Sequence, residues 1–314
     1  MPDILAITAP IFILIGLGFL SARAGLLSRE QFRGIGTFVI SFALPALLVK
    51  ALGERPVAEV LNAGYLLAYG LASLAVFAGG FAVSRWLRRD SRQGAALAAM
   101  GMSVSNSGFI GYPVVAMVLG PPAALAMALG MLVENLLMIP LAMVLAESGR
   151  QRGAGPRQML AEIARRLARN PMLAGIVGGL ALSLLELRLP PILQHSVDLL
   201  AQASAPAALF VIGGSLYGLR AGGMLADIGQ VALGKLVLHP LAVFAAFALV
   251  PGLDPTLKVA ALLFASAPMM SIYPILGQQY GLEQRCAAAL VAATALSFFS
   301  MSALLGVLPQ PPVH

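Results

Sequence analysis

The chain has 314 residues, of which 59% are hydrophobic and only 11% charged, with a mean hydropathy of +0.90. A soluble domain carries about 25% charged residues, so this composition excludes a water-coated globule and points to an all-α membrane protein. The balance of 20 Lys and Arg against 13 Asp and Glu gives +7, which would suggest nucleic acid only if the basic residues formed a patch.

A helix needs about 20 apolar residues to cross about 30 Å of hydrocarbon. Ten stretches bounded by charges or by Pro and Gly meet this, at roughly 4–22, 32–52, 62–84, 94–119, 123–146, 171–187, 192–217, 227–249, 257–280 and 285–307. The first has Asp3 where a secretory leader would have basic residues, so it is read as a membrane helix. The fourth contains Ser105, Asn106 and Ser107 beside Gly108, Gly111, Tyr112 and Pro113. In the fifth, Glu134 and Asn135 lie about 17 Å deep at 1.5 Å per residue. A carboxyl at that depth serves as a proton carrier, a cation ligand, a partner to a basic group or a protonated interior group.

The connector at 148–169 carries six arginines with Gly153, Gly155 and Pro156 and reads as a solvated cytoplasmic linker; its segment "IARRLARNP" also suits an amphipathic helix on anionic lipid. In the sixth span "GIVGGLAL" (175–182) predicts close helix packing or a homodimer surface. Gln202 and Ser204 precede Pro206 in the seventh as cavity-lining candidates. Lys235 and His239 stand one turn apart in the eighth. Lys235 starts only about 12 Å from the cytoplasmic end, so it is expected to snorkel there, the alternative being a pair with Glu134 or an anion. His239 precedes Pro240 and reads as part of a kink. The ninth span holds Ser266, Pro268, Ser271, Tyr273 and Pro274.

Fifteen of the 20 Lys and Arg fall in the loops after spans 1, 3, 5, 7 and 9, and only Lys50, Arg55, Arg188 and Lys258 in the opposite loops. The positive-inside rule therefore places both termini on the non-cytoplasmic side. The basic surplus reports orientation, and no nucleic-acid partner is expected. Cys286 is alone, which excludes an internal disulfide or a Cys-based metal site, and His195, His239 and His314 are too far apart to suggest a ligand pair. No cofactor and no metal are expected.

At an offset of 161 residues Pro10, Pro45 and Pro113 fall on Pro171, Pro206 and Pro274, Tyr112 on Tyr273, Ser105 on Ser266, Gly53 on Gly214 and Gly120 on Gly281. Five spans per half, an odd number, make the second half enter the membrane from the other side. The expectation is two inverted repeats, 1–147 and 170–314, joined by the linker 148–169. Spans 4 and 9 are broken by prolines, which remove a donor and clash with the carbonyl four residues back. The freed backbone groups cannot face lipid and must line an enclosed site. Half-helices restarting at about Pro113 and Pro274 present N-termini that suit a carboxylate, while the preceding carbonyl ends suit a cation. An organic anion, a coupled ion, or both are compatible with this pattern.

No enzyme is expected: Ser107 and His239 lack the paired context of a nucleophile and its base.

The five-plus-five spans, "FALPALL" (42–48), the spacing Asn106-x-x-x-x-Gly111-x-Pro113 and the proline-broken ninth span resemble the auxin efflux carrier family, in particular its bacterial members. The resemblance covers nearly the whole chain. It implies a fold related to the bile-acid/sodium symporters, with spans 4 and 9 crossing at Pro113 and Pro274. It also implies a scaffold of spans 1, 2, 6 and 7, and an elevator-like transport domain of spans 3–5 and 8–10. The implied function is secondary transport of a small organic anion, such as malonate, malate or an auxin-like acid, across the bacterial cytoplasmic membrane. Asn106 looks like the substrate-contacting asparagine. Ser105, Ser107, Gly108, Gly111, Tyr112, Ser266, Pro268, Ser271 and Tyr273 complete the expected substrate site, with Glu134, Asn135 and Lys235 as ion- or proton-coupling candidates. The offset partner of Asn106 is Ala267, so the crossover is chemically asymmetric. No second buried acidic residue accompanies Glu134, which argues against a two-sodium arrangement; sodium, proton and uncoupled transport all fit. The alternatives are an ion-coupled symporter of a bile-acid-like or neutral solute, and a channel or sensor without alternating access.

Overall fold

The computed structural model describes residues 2–54, 62–148, 161, 164–165, 167–217 and 225–307. Most of the 148–169 connector, with Arg55, Arg220 and His314, lies outside the described residues. Among the described residues the secondary structure is helical, without strands. In chain order the helices are α1 (Pro2–Arg23), α2 (Arg29–Phe38), α3 (Leu44–Gly53), α4 (Ala63–Ala82), α5 (Arg92–Ser103), α6 (Tyr112–Leu119), α7 (Pro122–Val133) and α8 (Ile139–Glu147). They continue as α9 (Pro171–Leu184), α10 (Pro191–Leu216), α11 (Leu225–Leu233), α12 (His239–Ala248), α13 (Pro255–Ser266), α14 (Tyr273–Gln278) and α15 (Glu283–Val307).

Among the described residues seven stretches are long and apolar enough to cross a membrane: Arg29–Gly53, Ala63–Leu87, Arg92–Leu119, Pro122–Glu147, Pro191–Ser215, Leu225–Ala248 and Glu283–Gly306. The first, sixth and ninth predicted spans correspond to shorter apolar stretches, Ile13–Arg23, Pro171–Leu184 and Pro255–Ser266. The surface is inverted relative to a soluble protein. Leu67, Leu71, Leu241, Phe244, Leu296 and Phe299 are exposed, whereas Ser73, Glu134, Lys235 and His239 are buried. That distribution suits lipid as the solvent.

Local chemistry accounts for many helix ends. Ser28 and Gln31 form a capping box at α2, Ser91 caps α5, Asn170 caps α9 and Asp254 caps α13. Prolines shape the interiors. Five π-helical turns are described, at Val39–Ala43, Val83–Leu87, Ser107–Gly111, Glu134–Met138 and Gly234–Leu238. All but the second are followed two residues later by a proline: Pro45, Pro113, Pro140 and Pro240. The proline ring would collide with the carbonyl four residues back. Widening the preceding turn, so that Ile139 N–H bonds Glu134 O and His239 N–H bonds Gly234 O, keeps the chain helical.

The chain divides into two compact units, one of Met1–Asn62, Gly108–Leu129 and Ala168–Leu219, the other of Ala63–Ser107, Gly130–Leu167 and Arg220–His314. In the first unit α1 packs on α10. A Cβ at Gly18 would stand 2.0 Å from the Phe210 carbonyl oxygen, and one at Gly213 only 1.9 Å from that of Ile15, so glycine alone permits this approach. Gly175 and Gly179 of "GIVGGLAL" press on Pro45 and Leu48 of α3. The small-residue face offered to a homodimer is thus engaged within the unit. A cavity of about 880 Å³ at the ends of α3 and α9 carries the Lys50–Asp198 ion pair, 2.6 Å apart.

The second unit packs α4 against α5 and α12, with α13 and α15 behind. One end is tied by ion pairs: Arg88 with Asp227, Arg285 with Asp90 at 2.5 Å, and Arg285 with Asp227 at 3.1 Å. Arg88 and Arg285, read from sequence as orientation signals, also lock the connection between α4 and α5 to α11 and α15.

Candidate functional site

Two interrupted helices meet inside the second unit. α5 stops at Ser103, Val104 is extended (φ −117°, ψ 138°), and residues 104–106 are non-helical. α13 stops at Ser266, Ala267 is extended (φ −66°, ψ 150°), and helix resumes only at Tyr273. One backbone bond joins the two ends, and side chains of each reach the other. Asn106 N–H donates to the Pro268 carbonyl at 2.7 Å, and its side-chain Nδ2–H donates to Ser271 Oγ at 2.7 Å. Tyr273 Oη–H donates to the Leu97 carbonyl at 3.0 Å and so pins the restart of α14 against α5. Exchange of one break's donor for the other's acceptor is what allows non-helical backbone at membrane depth.

The first break, at residues 104–106, gives way to a π turn and then to α6, which restarts at Tyr112, about where the sequence suggested. Pro113 lies in the first turn of α6, accommodated by the π turn Ser107–Gly111. The chain leaves the helix earlier because the Asn106 N–H is committed to Pro268 rather than to a carbonyl of α5. At the second break Pro274 likewise lies in the first turn of the new helix.

Ionisable side chains surround the first break. Glu134, 3% exposed, accepts from Ser105 N–H at 2.9 Å, from Ser107 Oγ at 3.2 Å and from Tyr69 Oη at 3.4 Å. Lys235 is fully buried. Its Nζ donates to Ser105 Oγ at 2.7 Å, to the Ala265 carbonyl at 2.7 Å and to His239 Nδ1 at 2.8 Å. The expectation that Lys235 snorkels is therefore overturned: three well-placed acceptors hold the ammonium inside, which satisfies all three of its N–H groups. His239, read as part of a kink, is a member of the cluster, and its Nε2 lies 3.0 Å from Ser73 Oγ. Glu134 opens one π turn and Lys235 is the second residue of another, where the chain adjusts to Pro140 and Pro240.

The structure thus brings together Ser105, Asn106, Ser107, Glu134, Lys235, Pro268 and Ser271. Ser266 bonds the Leu262 carbonyl of its own helix, and Asn135 Nδ2 bonds the Met131 carbonyl of its own. Gly108, Gly111, Tyr112 and Pro113 belong to the first unit. Sequence reading missed Tyr69 and Ser73. The signal available was the stripe Tyr65, Tyr69, Ser73, four apart on one face of an otherwise apolar helix.

A family model described as membrane transport protein matches residues 3–305. The chain belongs to that family, the family of the auxin efflux carriers. A Rhizobium meliloti (strain 1021) protein named "Putative malonate transporter" is 34% identical over 309 residues, covering 97% of this chain and 96% of the relative. An Escherichia coli (strain K12) protein named "Uncharacterized transporter YfdV" is 26% identical over 240 residues, 74% of each chain. The protein is therefore a multi-pass membrane transporter, and its family is one of transporters rather than enzymes.

Proposed function

We propose that this transporter is a secondary carrier of a small dicarboxylate of the malonate class, working by elevator-type alternating access in the bacterial cytoplasmic membrane. The fold we assign to it has ten crossings in two inverted five-span repeats and both termini outside. Breaks that follow Ser103 and Ser266, and positive-φ glycines at the offset-related Gly120 (φ 65°) and Gly281 (φ 71°), support the repeat. The second unit carries the substrate site and is the moving body in this reading.

The observation that carries the proposal is the position of Asn106. One residue joins both helix breaks, and the serines on either side of it are held by Glu134 and, on the Ser105 side, by Lys235. A buried cation fixed beside an amide donor at paired helix ends is the arrangement that compensates an anion taken out of water. The name of the 34% identical relative points to malonate as the first substrate to test.

The test is counterflow of radiolabelled malonate in proteoliposomes. The wild type is expected to show saturable exchange inhibited by malate, and Asn106→Ala to abolish it while eluting as a folded protein. Undiminished exchange by Asn106→Ala refutes the site.

A further inference from the structure

We infer that the coupling ion of this carrier is the proton, taken up by Glu134, with Lys235 thereby released as the counter-charge of the bound anion. This rests on the anion-carrier reading above and adds which ion travels and where it binds.

Two oxygens that the breaks offer to a cation are already held by Lys235. The Ala265 carbonyl, at the end of α13, and the Ser105 hydroxyl both receive N–H bonds from Lys235, and the third N–H goes to His239. An alkali-metal ion at this place would have to displace a tethered ammonium from all three partners. Lys235 is a built-in occupant of the cation position, so the remaining cation that the cluster can gain and lose is a proton.

The charge balance identifies the proton's site. The groups facing Glu134 are Tyr65 and Tyr69 from α4, the serines 105 and 107 flanking Asn106, and Lys235 and His239 from the eighth predicted span. With Lys235 as an ammonium, the 2.8 Å contact makes His239 Nδ1 the acceptor and leaves the ring hydrogen on Nε2, 3.0 Å from Ser73 Oγ. A second proton on that ring would aim an N–H at the ammonium, so His239 stays neutral and is not the carrier. The tyrosines donate or stack. Glu134 is the acidic side chain of this set.

As carboxylate and ammonium, Glu134 and Lys235 sum to zero, and an anion arriving at Asn106 meets no net compensation. Protonation of Glu134 forms one O–H bond and breaks none in the protein, and it leaves Lys235 as an uncompensated positive charge. Ser105 links the two, with its N–H on Glu134 and its hydroxyl on Lys235, and it precedes Asn106 in the chain. Anion binding and proton binding then favour each other, and by linkage the effect is reciprocal.

The experiment uses wild-type proteoliposomes with the membrane potential clamped by potassium and valinomycin, radiolabelled malonate as probe, and a trapped pH dye. With one proton per anion, a gradient of about one pH unit is expected to give about tenfold accumulation, because each unit is worth 1.36 kcal/mol. A sodium gradient is expected to change nothing. Glu134→Gln, which fixes the neutral form, is expected to lose the response to the pH gradient. Wild-type counterflow that ignores the pH gradient, or a sodium-driven rise, overturns the coupling while leaving the anion-carrier reading intact. A gradient response that survives in Glu134→Gln also overturns it, since the proton would then ride on malonate itself. Absence of malonate counterflow in the wild type overturns the underlying reading and the coupling with it.

Discussion

Replacing Lys235 by Met keeps the length and apolar bulk of the side chain but removes the ammonium from a site with no solvent exposure. Three acceptors, Ser105 Oγ, the Ala265 carbonyl and His239 Nδ1, lose their donor, and Glu134 is left as a buried carboxylate without its nearby cation. Breaking a buried ionic arrangement from one side costs about 3–5 kcal/mol, whereas replacing both partners by neutral groups of similar volume is often neutral or better. The single variants Lys235→Met and Glu134→Gln should each lower the unfolding midpoint in detergent, by roughly 10 °C for Lys235→Met at about 2–4 °C per kcal/mol. The double variant should be at least as stable as Lys235→Met alone. The assay is thermal unfolding followed by size exclusion, analysed as a double-mutant cycle with an expected coupling above about 1 kcal/mol. Strict additivity would refute the reasoning, because it would mean that Ser105 does not join the two groups into one network.

Two further outcomes follow from packing and backbone. Gly213→Ala places a Cβ 1.9 Å from the Ile15 carbonyl oxygen and should abolish folded protein or cut its thermal stability sharply, whereas Gly16→Ala, with nothing within 4 Å, should be close to neutral in the same assay. Pro240→Ala removes the reason for the π turn at Gly234–Leu238, so the helix should relax toward a regular ladder and rotate Lys235 away from Ser105; saturable malonate exchange should fall about tenfold or more while the protein still elutes as a folded species, and unchanged exchange would show that the turn does not depend on the proline.

Composition and apolar run length were enough to establish a helical membrane protein, because lipid forbids exposed backbone polar groups and leaves helices as the economical solution for such runs. The motif around Asn106, Gly111 and Pro113 was enough to indicate the family. Several site residues were also legible one at a time: Asn106, Glu134 and Ser271 stand out as polar groups in apolar spans. The sequence grouped Asn106 with Ser271 at the paired breaks and offered Glu134 as an alternative partner for Lys235, but the individual bonds were not legible, since each pair is separated by a hundred residues or more.

The same gap explains the misreading of Lys235. Snorkelling of Lys235 was a reasonable expectation from depth alone, because the stem is long enough. What decides against it is the simultaneous presence of Ser105, the Ala265 carbonyl and His239, contributed by three different segments. The position of the first break was likewise decided by a partner, the Pro268 carbonyl, which claims the Asn106 N–H seven residues before the proline that the sequence marks.

The sequence by itself therefore determined the solvent, the helical class, the family and the polar residues that lipid would not tolerate outside. Only the tertiary structure decided which bonds those residues make with one another and that Tyr69, Ser73 and His239 join them, because a hydrogen bond is specified by distance and direction between groups that the chain order leaves far apart.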